Sequence, residues 1–415
     1  MRNPCLAILE TPLDATAQRQ TLCATDRGAA LRLNILEVCS AYPPSRGGVE
    51  RFVQETSRGL ARRGHQVTVL TSSRGLKTES SDRTGADGIR VIRFPERFHI
   101  LEAPIIPAIA FSILGMHFDL LHVHGMSPTI TDLAIVLGKL KRKPVVVTYH
   151  NDAEATLTWR IASLAAAMYA LLSVPVLNLA DVIVCATRSY ANSSPSLRHI
   201  PGKLKIIPMG VEMDRFARST DATGGARRRK QVLFVGQLKD YKGVDVLIRA
   251  IAKLRRDGHD IGLQVAGAGP ILPKLRGTAD ELGLDGGVKF VGNVDDEALI
   301  DLYNQCDLFV LPSTSRREAF GLVQLEATAA GKRVVASDIP GVGEVARMAG
   351  GFLARPNDYV SLADVILKAI SDPHDADATR ERARSLSWKK TVDAYDDLFN
   401  SIAEGRAVLE HDRTN

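Results

Sequence analysis

The stretch LPSTSRREAFGLVQLEATAAG, residues 311–331, decides the fold class of this 415-residue chain. The apolar run Leu308–Leu311 at its start predicts a β-strand, and the Pro- and Ser-containing residues after it predict a loop. The apolar spacing that follows Gly321 predicts a helix. A strand, a loop and a helix in this order form the repeating unit of a parallel α/β sheet. The loop would lie at the carboxyl end of the strand, where such sheets bind ligands.

The same alternation of short β-rich runs and helical patterns extends through both halves of the chain. We therefore predict an α/β protein with two doubly wound, Rossmann-like domains of parallel sheet that face each other across a cleft. The predicted strands are Leu33–Val38, Val67–Thr71, Ile89–Arg93, Leu120–Val123, Val145–Tyr149, Val182–Cys185 and Lys205–Ile207 in the first half, then Val232–Val235, Gly262–Ala266, Lys289–Val291, Leu308–Leu311, Arg333–Ala336 and Gly351–Leu353 in the second.

A polar stretch over residues 214–230, which contains two adjacent glycines and ends in four basic residues, indicates a linker. We predict an N-terminal extension over residues 1–30, which lacks periodicity, a first domain over 31–213 and a second domain over 231–385. Apolar positions near helical spacing predict a final helix over 386–415, with its tail, that closes back toward the first domain.

Composition excludes several classes of protein. Lys and Arg number 53 against 47 Asp and Glu, and the net charge of +6 comes without a long basic run, which argues against nucleic acid binding. The five cysteines show no CxxC spacing, so we expect neither a disulfide framework nor a zinc cluster. The amino terminus does not match a secretory signal, and we expect a cytoplasmic protein.

The longest apolar stretch, Ala103–Phe118, is interrupted by two prolines and is shorter than the ~18–20 residues that span a bilayer. Two interpretations stay open. The stretch is either a core helix beneath the sheet or an interfacial helix that contacts lipid, since basic residues flank it. The flanking residues are Arg93, Arg97 and His117.

Two strand-to-helix turns carry residues suited to phosphate. The first strand leads into YPPSRGGVE, residues 42–50, where Gly47 and Gly48 let backbone N–H groups approach a phosphate at a helix start. In VGQLKDYKG, residues 235–243, Lys242 stands at the next such start, where it would neutralise a diphosphate as a point charge. An ordinary glycine turn and a solvated lysine are the alternatives.

The 311–331 segment carries two acids. Glu318 falls at the end of the loop and Glu326 lies inside the helix among apolar residues, where a carboxylate needs a partner. Ribose hydroxyls would supply one, as they do in dinucleotide folds, and a salt bridge to a cleft Arg or Lys is the alternative. Eight residues of helix rise about 12 Å, beyond the roughly 5–9.5 Å between glycosidase carboxylates. We therefore expect the two acids to bind two different parts of one ligand.

Histidines mark the first domain. His150 follows the strand Val145–Tyr149 and could donate to a sugar hydroxyl, with Asp152 orienting it; a structural histidine is the alternative. His122 and His124 share one face of a strand by their spacing. Because no third ligand is evident in the sequence, we expect no metal site there.

These motifs in this order resemble the family-4 retaining glycosyltransferases, which have the GT-B architecture. The resemblance covers about residues 32 to 400. It rests above all on EAFGLVQLEATAAGKRVVAS, which holds the family's two glutamates with seven residues between them. The supporting motifs are YPPSRGGVE, RRGHQVTVLT, HVHG, YHND, IIPMGVEMDRF, VGQLKDYKG and GAGP.

The resemblance implies roles for individual residues. Glu318 would lie by the donor sugar, Glu326 would bind the ribose and His150 would contact the transferred sugar. The diphosphate would be lined by Gly48 and Lys242, and with them we place Gly47 and Gln237. The backbone of Phe320, Gly321 and Leu322 would approach sugar or phosphate. The catalytic group is then His150, Glu318 and Lys242, and no metal or other cofactor is implied.

Two positions depart from the family pattern. Gln237 stands where the family often has an arginine against the diphosphate, and Met209 replaces a more usual polar residue before Gly210. The missing charge could be supplied by Lys239, Arg316 or Arg317, or its loss could lower activity. This departure motivates one alternative, a catalytically silent subunit that binds the sugar nucleotide for a partner enzyme.

The expected function is transfer of a hexose, mannose or glucose, from a GDP- or UDP-sugar to a glycan or polyprenyl-linked acceptor in cell-envelope or exopolysaccharide synthesis. The first domain would hold the acceptor and the second the donor, with contact to the inner face of the membrane left open. A sugar-nucleotide epimerase of the same fold is a further alternative, against which the Glu318–Glu326 block argues. Donor base, sugar, acceptor and linkage lie in loop contacts that the sequence does not specify.

Overall fold

The computed structural model describes residues 31–45, 47–73, 81–96, 98–100, 103–127, 129–152, 169, 173–216 and 229–411. The predicted extension over residues 1–30 and most of the predicted linker therefore lie outside the described residues. From Leu33 onward the chain forms one compact unit built on two large sheets.

The N-terminal sheet is parallel except at one edge. Its strands are β1 (Asn34–Cys39), β2 (Gln66–Ser72), β3 (Ser81–Thr84), β4 (Arg90–Phe94), β7 (Leu120–His124), β8 (Val145–Tyr149), β9 (Val182–Cys185) and β10 (Leu204–Ile206), while β5 (Phe98–Ile100) and β6 (Ala103–Ile105) form a separate antiparallel pair. Within the described ranges the order is β10-β9-β8-β7-β1-β2-β4-β3, and β3 pairs antiparallel with β4. The strand order reverses between β1 and β7, which opens a crevice at their carboxyl ends.

The helices around this sheet are α1 (Gly48–Arg62), α2 (Pro107–Gly115), α3 (Thr131–Leu140), α4 (Arg188–Ser193) and α5 (Met213–Phe216). Every residue of β7 and β8 is buried, as expected for parallel strands that are covered on both faces. On α1 an apolar stripe faces the sheet, with Phe52, Val53 and Leu60 fully buried. The first turn of α1 thus follows β1 directly at the crevice.

The C-terminal sheet is parallel throughout its described strands, which are β11 (Lys230–Val235), β12 (Ile261–Ala266), β13 (Val288–Gly292), β14 (Leu308–Leu311), β15 (Arg333–Ser337) and β16 (Phe352–Ala354). Their order, β13-β12-β11-β14-β15-β16, is the 3-2-1-4-5-6 order of nucleotide-binding sheets. Its helices are α6 (Val244–Arg256), α7 (Leu272–Glu281), α8 (Asp296–Gln305), α9 (Leu322–Ala329), α10 (Val342–Met348), α11 (Tyr359–Ser371), α12 (Ala376–Arg384) and α13 (Trp388–His411). The prediction of two doubly wound sheets is confirmed, and each predicted strand is present within two residues.

Two local predictions were wrong, and one strand was not predicted. The predicted linker is too long at both ends, because Phe216 anchors α5 against Tyr303, with ring centroids 5.6 Å apart, and Lys230 already begins β11. The polar run of β3 gave no strand signal, since the strand lies at an edge where its side chains face water. The stretch Ala103–Phe118 is not one helix: its first residues pair as β6, and α2 begins at Pro107.

Helix α2 contains both of the environments proposed for that stretch. Its side chains Ile109 and Ile113 are buried, whereas Phe111 is 73% exposed and Leu114 is 49% exposed. Of the predicted basic flanks, His117 is exposed, Arg93 contacts the carbonyl of Pro43, and Arg97 lies outside the described residues. No helix in the described part of the chain is both long and apolar enough to cross a membrane.

The last helix returns to the first half of the chain. A Cβ atom on Gly59 of α1 would lie 2.5 Å from Val392, so α13 packs directly on the backbone of α1. The hydroxyl of Tyr395 lies 2.8 Å from Thr148 Oγ1 in β8. The two halves are therefore fastened together by α13 as well as by the chain connection.

Two connections between the halves run side by side. The N–H of Val211 donates to the carbonyl of Leu386 at 2.9 Å, and Val211 and Ser387 form an isolated parallel bridge. A Cβ atom on Gly210 would lie 2.3 Å from Trp388 N, which explains the glycine. Met209, noted above as unusual, is buried in the core beside this crossing.

Candidate active site

Two loops meet where the order of the C-terminal sheet reverses. One follows β11 and contains Tyr241-Lys242-Gly243, and the other follows β14. The N–H of Thr314 donates to the carbonyl of Tyr241 at 2.8 Å. Gly243 has a φ of +68°, and a Cβ atom there would lie 2.0 Å from the carbonyl oxygen of Pro312. Glycine is required at this position, and its close approach fixes one loop on the other.

This packing brings Lys242 to Glu318. The lysine ammonium and the carboxylate form an ion pair, and each side chain is only 14% exposed. Burial alone lowers the pKa of Lys242, but the charge of Glu318 outweighs it and raises that pKa above its ordinary value. The ammonium is therefore held charged at the mouth of the switch-point crevice, where it could exchange its carboxylate for a ligand phosphate.

Glu326 projects from α9 and is 4% exposed. Its carboxylate forms an ion pair with Arg51 of α1 and accepts a hydrogen bond from Tyr303 Oη at 2.8 Å. This ion pair is the salt bridge to a cleft arginine that was weighed above as the alternative to ribose. Ribose binding by Glu326 stays a prediction, and it requires Arg51 to give way.

Two helix starts open toward the same crevice without a capping side chain. Gly321, at the N-cap of α9, has a φ of +75°, and a Cβ atom there would lie 2.5 Å from Leu311. Phe320 is buried in the core, so only its backbone is available, and Leu322 is partly buried. Uncapped N–H groups at such a start favour an anion.

The other uncapped start belongs to α1, whose N-cap is Gly47. A Cβ atom on Gly48 would meet nothing within 4 Å, so the space beside this backbone is open. Packing accounts for Gly47, where a Cβ atom would lie 2.1 Å from the Glu50 carboxylate, but it does not account for Gly48. An approaching phosphate is a sufficient reason for Gly48.

His150 lies at the carboxyl end of β8 and is 6% exposed. Its ring is edge-on to that of Phe52, with centroids 5.1 Å apart, and is stacked on that of His124, with centroids 5.8 Å apart. Neither ring nitrogen has a hydrogen-bond partner among the described residues. Burial first, then the field of His124 and His122, lowers the pKa of His150 well below its ordinary value. A neutral imidazole with free nitrogens could bond a sugar hydroxyl.

Asp152 does not orient His150, contrary to the prediction. Its carboxylate accepts hydrogen bonds from Tyr149 at 2.8 Å, Tyr190 at 2.9 Å and Ser194 at 2.6 Å, and from Arg316 of the β14 loop at 2.7 Å. Four donors saturate the two carboxylate oxygens. Asp152 is thus a cross-domain anchor for Arg316.

A second anchor joins the same two halves. Glu344 of α10 accepts hydrogen bonds from the N–H groups of Arg188 and Ser189, at 3.2 and 2.7 Å, and so caps α4. The hydroxyl of Ser189 in turn accepts from the N–H of Gly341 at 3.0 Å. The structure is therefore a closed arrangement of the two sheets.

The position of Gln237 identifies which cation could replace the missing arginine. Gln237 and Lys239 are exposed, and Arg316 is engaged by Asp152. Arg317 stacks over the ring of Tyr241 at 4.6 Å, and the ammonium of Lys242 lies 5.5 Å from the centre of that ring. Of the three cations considered as replacements for the arginine, Arg317 is the one that packs on the same ring as Lys242, that of Tyr241.

The sequence prediction of no third ligand for His122 and His124 was wrong. Glu37 is the cross-strand neighbour of His122, and the three side chains lie fully buried on one face of the sheet. Burial raises the pKa of Glu37, but the two facing imidazoles outweigh it and lower that pKa to about 2. Burial lowers the pKa of His122 to about 4. The signal that could have revealed Glu37 is a charged residue at a core position of β1.

Comparisons with known proteins show which families the two halves of the chain are similar to. Residues 46–215 match the family model described as Glycosyltransferase Family 4, and residues 218–386 match Glycosyl transferases group 1. The chain is 31% identical to a glycogen synthase of Mycobacterium tuberculosis, over 87% of this chain and 91% of that protein.

Two further similarities concern another curated protein and a solved structure. The chain is 28% identical to a GDP-mannose-dependent alpha-(1-6)-phosphatidylinositol monomannoside mannosyltransferase of Mycolicibacterium smegmatis, over 90% of this chain and all of that protein. Sucrose-phosphate synthase from Thermosynechococcus elongatus superposes with a TM-score of 0.73 and 22% identity, over 90% of this chain and all of that one. This last likeness supports the fold.

Proposed function

Because this chain belongs to the family-4, group 1 glycosyltransferases of GT-B fold, we propose that it transfers a mannosyl or glucosyl unit, with retention, from a GDP- or UDP-sugar to a glycan or polyprenyl-linked acceptor of the cell envelope or an exopolysaccharide. The observation that carries the proposal is the pairing of Lys242 with Glu318 between two switch-point loops. A relative named as a glycogen synthase supports a glycan acceptor, and a relative named as a phosphatidylinositol monomannoside mannosyltransferase supports a lipid-linked acceptor in general.

The donor would occupy the crevice of the C-terminal sheet. Its ribose would replace Arg51 at Glu326, and its diphosphate would replace Glu318 at Lys242, between the uncapped starts of α1 and α9. Glu326 would exchange its ion pair with Arg51 for hydrogen bonds from ribose hydroxyls, and Lys242 would exchange one anionic partner for another. Glu318, released from Lys242, would then accept hydrogen bonds from the donor sugar.

Catalysis would be stabilisation of the departing nucleoside diphosphate. Lys242, Arg317 and the helix amino termini provide positive charge where negative charge develops on the leaving group. His150, through a neutral ring nitrogen, would hold a hydroxyl of the transferred sugar. The acceptor hydroxyl, held against the N-terminal sheet, would attack from the face that the diphosphate leaves.

We propose that no metal takes part in this transfer, because basic side chains and helix starts face the diphosphate position. The cross-domain anchors Arg316–Asp152 and Glu344–Ser189 would hold the closed state in which water is excluded.

Contact with the inner membrane surface would use α2 and the end of α3. Phe111, Leu114 and Leu140 are exposed by 73%, 49% and 71%. The ammonium of Lys141 donates to the carbonyls of Leu114 and Met116 at 2.8 and 2.6 Å and so joins α3 to α2. Exposed apolar side chains beside basic ones favour insertion at a lipid interface.

The test is a panel of UDP-, GDP- and ADP-hexoses incubated with purified chain and membrane lipid extract, in which nucleotide release and labelled product are followed. Transfer of one hexose, abolished in Lys242→Ala and retained in the surface control Lys389→Ala, would support the proposal. Donor binding without transfer from any extract would favour a silent sugar-nucleotide subunit. Conversion of the donor sugar without acceptor would favour an epimerase.

A further inference from the structure

The buried cluster of Glu37, His122 and His124 is not used by the proposed transfer. Glu37 lies on β1, and the two histidines lie on the neighbouring β7, where Glu37 pairs with His122 and Cys39 with His124. All three side chains are 0% exposed. Helix α1 covers the cluster, and so does α13 through Tyr395 and Phe399, whose ring centroids lie 5.3 and 5.1 Å from that of His122.

The cluster leaves polar atoms without partners. Among the described residues, Glu37 Oε1, His122 Nδ1 and both ring nitrogens of His124 have no hydrogen bond, although all are buried. Unpaired buried polar atoms are destabilising, and several in one place call for an explanation. Carboxylate oxygens and imidazole nitrogens that face one another are the donor set of first-row divalent metals.

The distances fit a bound ion better than direct hydrogen bonds. His122 Nδ1 lies 3.5 Å from Glu37 Oε1, and His124 Nε2 lies 3.4 Å from Glu37 Oε2. These separations are beyond the usual range of an N–H···O bond. The two distances run to different oxygens of Glu37, so an ion held here would be bound by both carboxylate oxygens and the two imidazole nitrogens, with ligand bonds of about 2.0–2.2 Å. One ligand atom from each of the three residues lies within 4.8 Å of the others.

The outer contacts orient the ligand atoms. His122 Nε2 is 2.8 Å from Thr148 Oγ1, which is itself 2.8 Å from Tyr395 Oη, so the Nδ1 of His122 faces Glu37. Ser57 Oγ donates to Glu37 Oε2 at 2.6 Å. The hydrogen bond on the far side of His122 is of the kind that orients ligands in metal sites, and the Ser57 bond fixes the Glu37 carboxylate.

We propose that Glu37, His122 and His124 bind one Zn²⁺ ion through a carboxylate, Nδ1 and Nε2. The ion is structural, because the ligands have no exposed surface through which a substrate could reach it. It neutralises the buried carboxylate and ties β1 to β7 beneath α13, and it takes no part in the departure of the diphosphate.

The experiment measures metal content of the full chain, purified without a histidine tag, by mass spectrometry. We expect roughly one zinc per chain that is lost after unfolding with a chelator, and re-addition of Zn²⁺ after refolding should raise Tm by several degrees. Glu37→Gln and His124→Asn should lose the ion, whereas the exposed control His199→Asn should keep it. Zinc below about a tenth of an equivalent in wild type, with no Tm response, would overturn the proposal, as would zinc that persists in both ligand variants.

A second readout avoids variants that fail to fold. Wild-type protein refolded with Co²⁺ should show the visible absorption bands of a low-coordinate cobalt site, and added Zn²⁺ should abolish them. A spectrum indistinguishable from that of free Co²⁺ would overturn the proposal.

Discussion

Arg51, on the first turn of α1, pairs with Glu326 on α9, 275 residues away and on the opposite side of the crevice. The pair spans the place proposed for the donor ribose. Since one carboxylate would serve both partners, we expect Arg51 and the donor ribose to compete for Glu326.

This competition predicts opposite effects for the two partners. Glu326→Gln should weaken nucleoside diphosphate binding by at least about tenfold, because hydrogen bonds to a charged group are lost. Arg51→Gln should tighten binding several-fold, because the ribose no longer has to displace an ion pair. Titration calorimetry with UDP and GDP measures both, and Arg90→Gln, in an exposed pair with Asp82, is the control. Equal weakening in both variants would contradict the competition.

Lys242 should matter more for turnover than for binding. Lys242→Met keeps the stem and removes the charge, so kcat should fall by ~10²–10³-fold while donor Kd changes far less. Steady-state kinetics with the donor identified by the panel checks this. A variant that loses donor affinity but keeps kcat would show that the ammonium holds the ground state only.

Arg317 should supply the charge that Gln237 lacks. Arg317→Ala should lower kcat by about tenfold or more, and adding Gln237→Arg to that variant should recover most of the loss. Lys239→Ala, which removes an exposed charge of the same loop, is the matched control. If the double variant stays as slow as Arg317→Ala, the two positions do not share a role.

Asp132 should make stability depend on pH. Burial, only partly opposed by hydrogen bonds from Tyr169, Ser127 and Thr131, raises the pKa of this carboxyl to about 6. The folded state therefore binds the proton more tightly than the unfolded state, and stability is lost as pH rises from about 4 through 6. Asp132→Asn should stabilise the fold by roughly 2–3 kcal/mol at pH 7.5 and by little at pH 4.5.

Thermal unfolding of wild type and Asp132→Asn across this pH range provides the measurement. The control is Asp377→Asn, whose parent carboxylate is 94% exposed. A gain for Asp132→Asn that is the same at both pH values would show that the carboxyl does not titrate in this window.

The exposed apolar side chains of α2 should govern attachment to lipid. Phe111→Ser combined with Leu114→Ser should reduce sedimentation with vesicles of anionic phospholipid by several-fold, because less apolar surface is buried at the interface. The paired control is Leu282→Ser, a 36% exposed leucine beyond α7 in the C-terminal half. Unchanged sedimentation would exclude α2 as the contact.

The regular parts of this molecule were predictable because each strand is a short apolar run with a turn signal after it. Glu318, Gly321 and Lys242 could be placed because they sit directly after strands whose order fixes a switch point. Their neighbours could not be placed in this way. Arg51 meets Glu326 only through tertiary packing across the two sheets, and no local pattern relates the two positions.

Buried charge was the other source of error. Glu37 was hidden within a strand that otherwise reads as apolar, and Asp152 was assigned to His150 because the two are close in sequence. In the fold, the hydroxyls of Tyr190 and Ser194, some 40 residues further along the chain, donate hydrogen bonds to the Asp152 carboxylate. Side-chain partners at this separation depend on register and helix placement, which periodicity does not provide.

The bridge between Val211 and Ser387 also determines how the enzyme can open. Since both chain connections pass through one place, one half can swing about that line without stretching either connection, while sliding would break the bridge. In such a swing we expect the Gly210–Trp388 contact, which lies beside the bridge, to persist. The hydrogen bond between Gly341 and Ser189 would have to break for the two halves to separate there.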